Sequence, residues 1–362
     1  MTRLRDLGVT PGRLPPGPLN AITDVAGVRV GHVTLIVGEG PLVPGQGPIR
    51  TGVTAILPHS GNLFREKVAA GVHTFNGMGK AVGFEQIREL GTLETPVILT
   101  NTLNVGLCDE AVVAYMLREN PDIGVTTTTV DPVVGECNDG YLNDIQGRHV
   151  KPAHVWAAID GATGGPVAEG NVGAGTGTRC YGFKGGIGTA SRRALDGRFT
   201  VGALVQTNMG DPTDLLVLGA PAGLRLHDHP APETGGGSIM IVLATDAPLD
   251  ARQLERLAAR APLGLARTGS IGYNESGDFA IAFSTTNRFP HAPAEAVETA
   301  LRFNDDAIND LFRATVEAVE EAILNSLVAA ETMTGRDGHT AYAIPLDRLA
   351  ALLAYYRRVG RD

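Results

Sequence analysis

Apolar and polar positions along the chain follow two rhythms. Runs of strand composition, bounded by Gly, Pro, Asn or Asp, occupy residues 28–36, 51–57, 96–100, 154–159, 199–208, 238–245 and 279–284. Helical spacing governs 79–90, 109–117, 250–260, 305–330 and 345–356. In the longest of these, Ile308, Leu311, Phe312, Val316, Val319, Ile323 and Leu327 recur at intervals of mostly three and four. Residues 1–20 read as an extended Pro-rich arm, 38–48 as a hairpin loop and 220–237 as an exposed linker. Strands come in adjacent groups rather than in strict alternation with helices. That order predicts an α+β chain in which two sheets pack face to face under outer helices.

Composition narrows the setting. Of 362 residues, 43% are apolar and 19% charged, the balance of a folded globular chain with a sizeable core. A net charge of -9 and the lack of any Lys/Arg run disfavour nucleic acid as a partner. No segment approaches the roughly 18 uninterrupted apolar residues of a membrane span, and Pro11, Pro15, Pro16 and Pro18 break the start where a signal peptide would need an apolar run. A cytoplasmic protein is the expectation. Cys108, Cys137 and Cys180 have no close ligand spacing and are expected as reduced thiols without a catalytic role. Glycine is the deviation: 47 residues, nearly twice the average usage, gathered in clusters that read as tight loops near a functional surface.

Three segments offer chemistry. Gly170 to Gly177 is glycine-rich, but no buried strand leads into it and no helix opens from it, so the dinucleotide-loop context fails. His227-Asp228-His229 carries metal-ligand side chains, yet no third ligand of similar placement is visible, and a solvated linker accounts for it. The third is Thr234-Gly235-Gly236-Gly237-Ser238, which runs straight into the apolar stretch Ile239 to Leu243. Cleavage between Gly237 and Ser238 would give Ser238 a free α-amino group, whose unperturbed pKa of about 8 suits a general base at neutral pH. One residue then holds hydroxyl and base. The competing account is a flexible connection into a core strand.

Ser238 has suitable company. Ser276 and Asp278, two residues apart in an extended segment, project to one side. Asn208 stands at a strand end as a candidate oxyanion donor, and the stretch 135–144 supplies a carboxylate, Glu136, and a phenol, Tyr141.

The Gly-Gly-Gly-Ser strand start, Glu169 to Gly177, Phe183 to Arg192 and Val205-Gln206-Thr207-Asn208 together resemble the DmpA family. These are the β-aminopeptidases and L-aminopeptidase/D-amidase/D-esterases. The resemblance spans nearly the whole chain. It implies a four-layer αββα sandwich similar to Ntn-hydrolases, and one domain, 1–362, that cuts itself into an α chain of 1–237 and a β chain of 238–362. It makes Ser238 the nucleophile and Ser276 a proton-moving serine. Asp278 falls where some members carry the longer glutamate. Asn208 and Tyr141 match oxyanion positions, and Glu136 matches a carboxylate that receives the substrate's ammonium group. The resemblance implies hydrolysis of small peptides, amides or esters with a free amino group, no metal or organic cofactor, and a tetramer of α/β pairs.

Two alternatives share that build but use threonine: acyl transfer of the ornithine acetyltransferase type, and nylon-oligomer hydrolysis. Serine and threonine hydroxyls perform the same chemistry, so Ser238 separates them only weakly. A third alternative is a non-catalytic small-ligand-binding protein that uses the loop 170–188.

Overall fold

In a computed structural model the chain is described over residues 2–227 and 236–359. The first half supplies β1 (Arg29–Val37), β2 (Ile49–Leu57), β3 (Glu66–Gly77), β4 (Ala81–Val82), β5 (Thr92–Leu93), β6 (Val97–Asn101) and β7 (Val133–Cys137). A short hairpin of β8 (Arg179–Cys180) and β9 (Phe183–Lys184) leads into β10 (Ile187–Ala194) and β11 (Phe199–Asn208). The ribbon of β12 (Leu216–Val217) and β13 (Ala220–Pro221) then precedes β14 (Gly236–Thr245) and β15 (Glu275–Pro290). One sheet has the order β1-β2-β6-β7-β4 and the other β10-β11-β14-β15-β3-β5. The α-helices are α1 (Phe84–Leu90), α2 (Val105–Glu119), α3 (Pro152–Asp160), α4 (Gly223–Leu226), α5 (Ala251–Ala258), α6 (Ala261–Arg267), α7 (Asn309–Val328) and α8 (Leu346–Val359), and a ribbon of β16 (Met333–Thr334) and β17 (Thr340–Ala341) lies between the last two.

Period-2 alternation builds the layers. Along β14, Met240, Val242 and Ala244 cluster with Ile56, Leu99 and Val133 of the other sheet. Their neighbours Ile239, Ile241 and Leu243 cluster instead with Leu254, Leu257 and Leu311 on helices. The outer face of the first sheet, Val53, Ala55, Ile98 and Val134, meets Val112, Met116, Val155 and Ala158 of α2 and α3. The order is therefore helix, sheet, sheet, helix, the αββα sandwich that the resemblance implied. Each large apolar side chain so buried contributes about 1.5–3 kcal/mol relative to exposure.

The structure corrects several sequence expectations. Residues 154–159 lie in a helix, not a strand: Pro152 sits in its first turn, and Val155, Ala158 and Ile159 share its buried face. The stretch 79–90 is a two-residue strand and then α1, with Gly83 at φ 83° between them. The span 220–227 is not an exposed linker, since Ala220, Ala222 and Leu226 are buried; residues 228–235 lie outside those described. Strand β3, unread in the sequence, pairs with β15 near the centre of the second sheet. Nor are the glycines confined to loops. A Cβ on Gly188 in β10 would lie 1.9 Å from Ala322 O of α7, so glycine there lets a helix lie directly on the sheet. No helix among the described residues is long and apolar enough to cross a membrane.

Candidate active site

Ser238 is the third residue of β14, opposite Asn208 on antiparallel β11 and beside Gly277 on parallel β15. It is 4% exposed, and its hydroxyl has no hydrogen-bond partner. Leaving a buried polar group unpaired costs about 1–3 kcal/mol, so such a group in a native fold calls for a functional account. The residue before it has no room for a side chain: a Cβ on Gly237 would lie 2.6 Å from Asn208 O and 2.7 Å from Met209 Cα.

The first sheet holds the backbone here in place. Cys137, at the end of β7, donates from Sγ to Gln206 O at 3.3 Å and to Ser238 O at 3.4 Å. Gln206 Nε2 donates to Thr100 O at 3.0 Å and Ala174 O at 2.9 Å. By alternation Ser238 falls with Met240 on the inter-sheet face.

Ser276 and Asp278 belong to the opposite, helix-facing side of the same sheet, in step with Ala280 and Ala282. The expected common side is found, and Ser276 Oγ donates to Asp278 Oδ1 at 2.6 Å. Both residues are 3% exposed, and Asp278 Oδ2 is unpartnered. Burial pushes the Asp278 carboxyl up to about 6 against the opposing pull of the Ser276 hydrogen bond. Ser276 pairs with Gly237 across the strands. Ser238 and Ser276 thus lie on adjacent strands but on opposite faces of the sheet.

Glu136, also on β7, is buried. Lys80 N donates to its Oε1 at 3.1 Å, and the Thr102 hydroxyl donates to Oε2. Burial raises the Glu136 carboxyl, while the Thr102 hydrogen bond and the Lys80 charge oppose the shift. A Cβ placed on Gly79 would lie 3.2 Å from Glu136 Oε1 and 3.4 Å from Gly277 Cα, so Glu136 stands one residue's width from the strand beside Ser238.

Asn208 ends β11 as expected. Its Oδ1 accepts from Arg179 N at 3.1 Å, which turns its amide nitrogen away from that contact and leaves it free as a donor. Arg179 Cζ lies 4.0 Å from the centre of the Tyr141 ring, and that ring stacks on His339 at 4.7 Å. Tyr141 therefore joins the group through Arg179. No hydrogen bond links the Ser238 hydroxyl to Ser276, Asn208 or Tyr141.

Below the site, Lys184 is fully buried and donates to Gly175 O at 3.0 Å and Gly185 O at 2.6 Å. It pins the glycine-rich segment, within which 173–175 is a 3-10 turn rather than the start of a long helix. Burial lowers the Lys184 amine to about 7 and raises the Asp139 carboxyl to about 7. All three cysteines are free and buried. His227 stacks on Phe183 at 4.0 Å, whereas Asp228 and His229 lie outside the described residues. Among the described residues no cluster of His, Cys, Asp or Glu could hold a metal ion.

Sequence reasoning passed over Thr102, Lys80 and Arg179 and assigned Cys137 nothing. A backbone N–H or a lone arginine in a glycine-rich stretch carries no motif. Only the stretch 135–144, read for Glu136 and Tyr141, also contains Cys137.

Comparison with known proteins agrees with this fold. The chain is 47% identical over 375 residues to the β-peptidyl aminopeptidase BapA of Sphingosinicella microcystinivorans, covering 99% of this chain and 93% of that protein. Among solved structures, the PH0078 protein of Pyrococcus horikoshii OT3 superposes with a TM-score of 0.94 at 54% identity, covering 98% of this chain and 99% of that one. The L-aminopeptidase D-Ala-esterase/amidase of Ochrobactrum anthropi, described as a serine aminopeptidase with a variant of the Ntn-hydrolase fold, superposes with a TM-score of 0.92 at 44% identity, covering 99% of each chain. These matches favour neither the acyltransferase and nylon-oligomer readings nor a non-catalytic binding protein. A family model described as peptidase family S58 matches residues 20–341, and the chain belongs to that family.

Proposed function

We propose that this chain is a self-processing N-terminal-serine aminopeptidase whose nucleophile is Ser238. The observation that carries the reading is the buried, unpartnered Ser238 hydroxyl at the start of β14, flanked by β11 with Asn208 and by β15 with the Ser276-Asp278 pair on the opposite face. In maturation Ser238 Oγ attacks the Gly237 carbonyl carbon. The C–N bond to Ser238 breaks, an ester forms at Oγ, and water hydrolyses it to leave the Gly237 carboxylate and the Ser238 amine. In turnover that amine accepts the Oγ proton while Oγ attacks the substrate carbonyl; the Asn208 amide and the Tyr141 hydroxyl stabilise the oxyanion. The leaving amine takes a proton, and water releases the acyl group. Ser276, held by Asp278, relays protons to the Ser238 nitrogen.

Glu136 selects the substrate. It is a buried carboxylate with no ion pair among the described residues, and a free ammonium on the substrate would supply the missing charge. The relatives' names extend the class to α- and β-peptides, amides and esters. Removing one partner of a buried charge pair costs about 2–5 kcal/mol. Glu136→Gln is therefore expected to lower kcat/KM for free-amine peptides by roughly 30- to 4,000-fold, mainly through KM. The wild-type chain is expected to ignore N-acetylated peptides. Steady-state kinetics on matched free and acetylated peptides tests this, and equal use of both by the wild-type protein would exclude the assignment.

The same reading carries assembly into a cytoplasmic tetramer of α/β pairs. Light scattering should then give about four times 37.8 kDa.

A further inference from the structure

Arg179 is in an unusual position for a guanidinium. Its Nε and Nη1 are sealed from solvent without a hydrogen-bond acceptor, although the residue as a whole stays part-exposed. Among the described residues no carboxylate forms a salt bridge with it; its only close electronic partner is the Tyr141 ring, 4.0 Å from Cζ. Burying a cation with neither a counter-charge nor hydrogen-bond acceptors is costly, so donors left bare call for a ligand that completes the site. Burial also lowers the pKa of the guanidinium, with Tyr141 opposing. The fork remains cationic at any working pH.

Its place relative to the nucleophile sets what that ligand is. Glu136, a buried carboxylate without an ion pair among the described residues, is tied to Ser238 through its neighbour Cys137. Arg179 is tied to Ser238 through Asn208, whose side chain its backbone N–H holds. One site thus presents a carboxylate and a guanidinium, each without a counter-charge among the described residues, around one nucleophilic hydroxyl. That arrangement complements a short zwitterion with its scissile amide between the two charged ends.

We infer that Arg179, backed by the Tyr141 ring, is a carboxylate subsite that binds the free C-terminus of the residue directly after the scissile bond, making dipeptides the preferred substrates. A guanidinium fork matches a carboxylate through two parallel N–H donors, whereas a C-terminal amide offers it one neutral acceptor. The inference rests on the aminopeptidase reading above and adds the second recognition point.

The test uses alanyl-alanine and β-alanyl-alanine, each as free acid and as C-terminal amide, on the full-length wild-type protein, Arg179→Met and Arg179→Lys. The wild type is expected to favour the acids by about tenfold or more in kcat/KM, through KM. Arg179→Met should bring that acid-to-amide ratio near one, and Arg179→Lys should keep part of the preference. Equal use of acid and amide by the wild type would overturn the inference. So would a matching loss of kcat on both substrates in Arg179→Met, which would make Arg179 only a support for Asn208. Calorimetry with dipeptides whose scissile amide is replaced by a methyleneamino link needs no turnover. Tighter wild-type binding of the acid form, lost in Arg179→Met, supports the subsite even if hydrolysis fails, and equal binding of acid and amide refutes it.

Discussion

Ser238→Ala is expected to give a protein that runs as one full-length band and hydrolyses no peptide, a loss on the order of 10^6 in kcat. The alanine removes the atom that both maturation and turnover require. It should not unfold the chain, because the hydroxyl it deletes makes no hydrogen bond and the Cβ already fits between β11 and β15. Thermal unfolding should therefore show a Tm no lower than that of the wild-type precursor. Denaturing gels and a coupled peptide assay on the same preparation read both effects. A Ser238→Ala protein that still divides into two chains would place the reactive group elsewhere.

Asp278→Asn should separate activity from stability. In the Ser238→Ala background no new amine perturbs the site, and the carboxyl, 3% exposed, titrates near 6. That value lies above the unfolded value of 3.8, so the fold favours the neutral acid. The contribution of this group to stability is fully present below about pH 4 and is lost as pH rises through about 6. Asparagine keeps the shape and the acceptor for Ser276 but never ionises. The expected result is a gain of about 2–3 kcal/mol at pH 8, from a shift of roughly two units, falling to nothing near pH 4. Urea midpoints at the two pH values measure it. In the otherwise wild-type chain the same substitution removes the charge that holds Ser276 as a relay and should lower kcat by about 10²- to 10⁴-fold. A pH-independent stability effect would contradict the burial argument.

Where the sequence was informative, it was because local chemistry and tertiary role coincide. The triglycine, the hydroxyl and the apolar run are consecutive over 235–245, and β14 spans Gly236–Thr245. Asn208 ends a strand whose bounds the alternation delimits, Phe199–Asn208. The apolar spacing of 305–330 encloses α7. Residues 154–159 misled because six residues with few polar breaks fit a strand or a buried helix equally well, and the deciding cue, Pro152 in a first turn, lay just outside the run. Strand β3 was missed because its buried core, Val68 to Val72, is interrupted by alanine and glycine that belong under α5. Arg179 was beyond sequence reading for a different reason. Its significance is the lack of a counter-charge among the described residues, which exists only once Tyr141, Asn208 and the glycine loop are brought together.

N-terminal sequencing combined with intact-mass measurement on a catalytically active preparation addresses the central claim most directly. The account requires two species of about 25 and 13 kDa by share of chain length, the smaller beginning Ser-Ile-Met-Ile. An active protein consisting solely of the intact 362-residue chain, or one whose new terminus lies at any other residue, would contradict it.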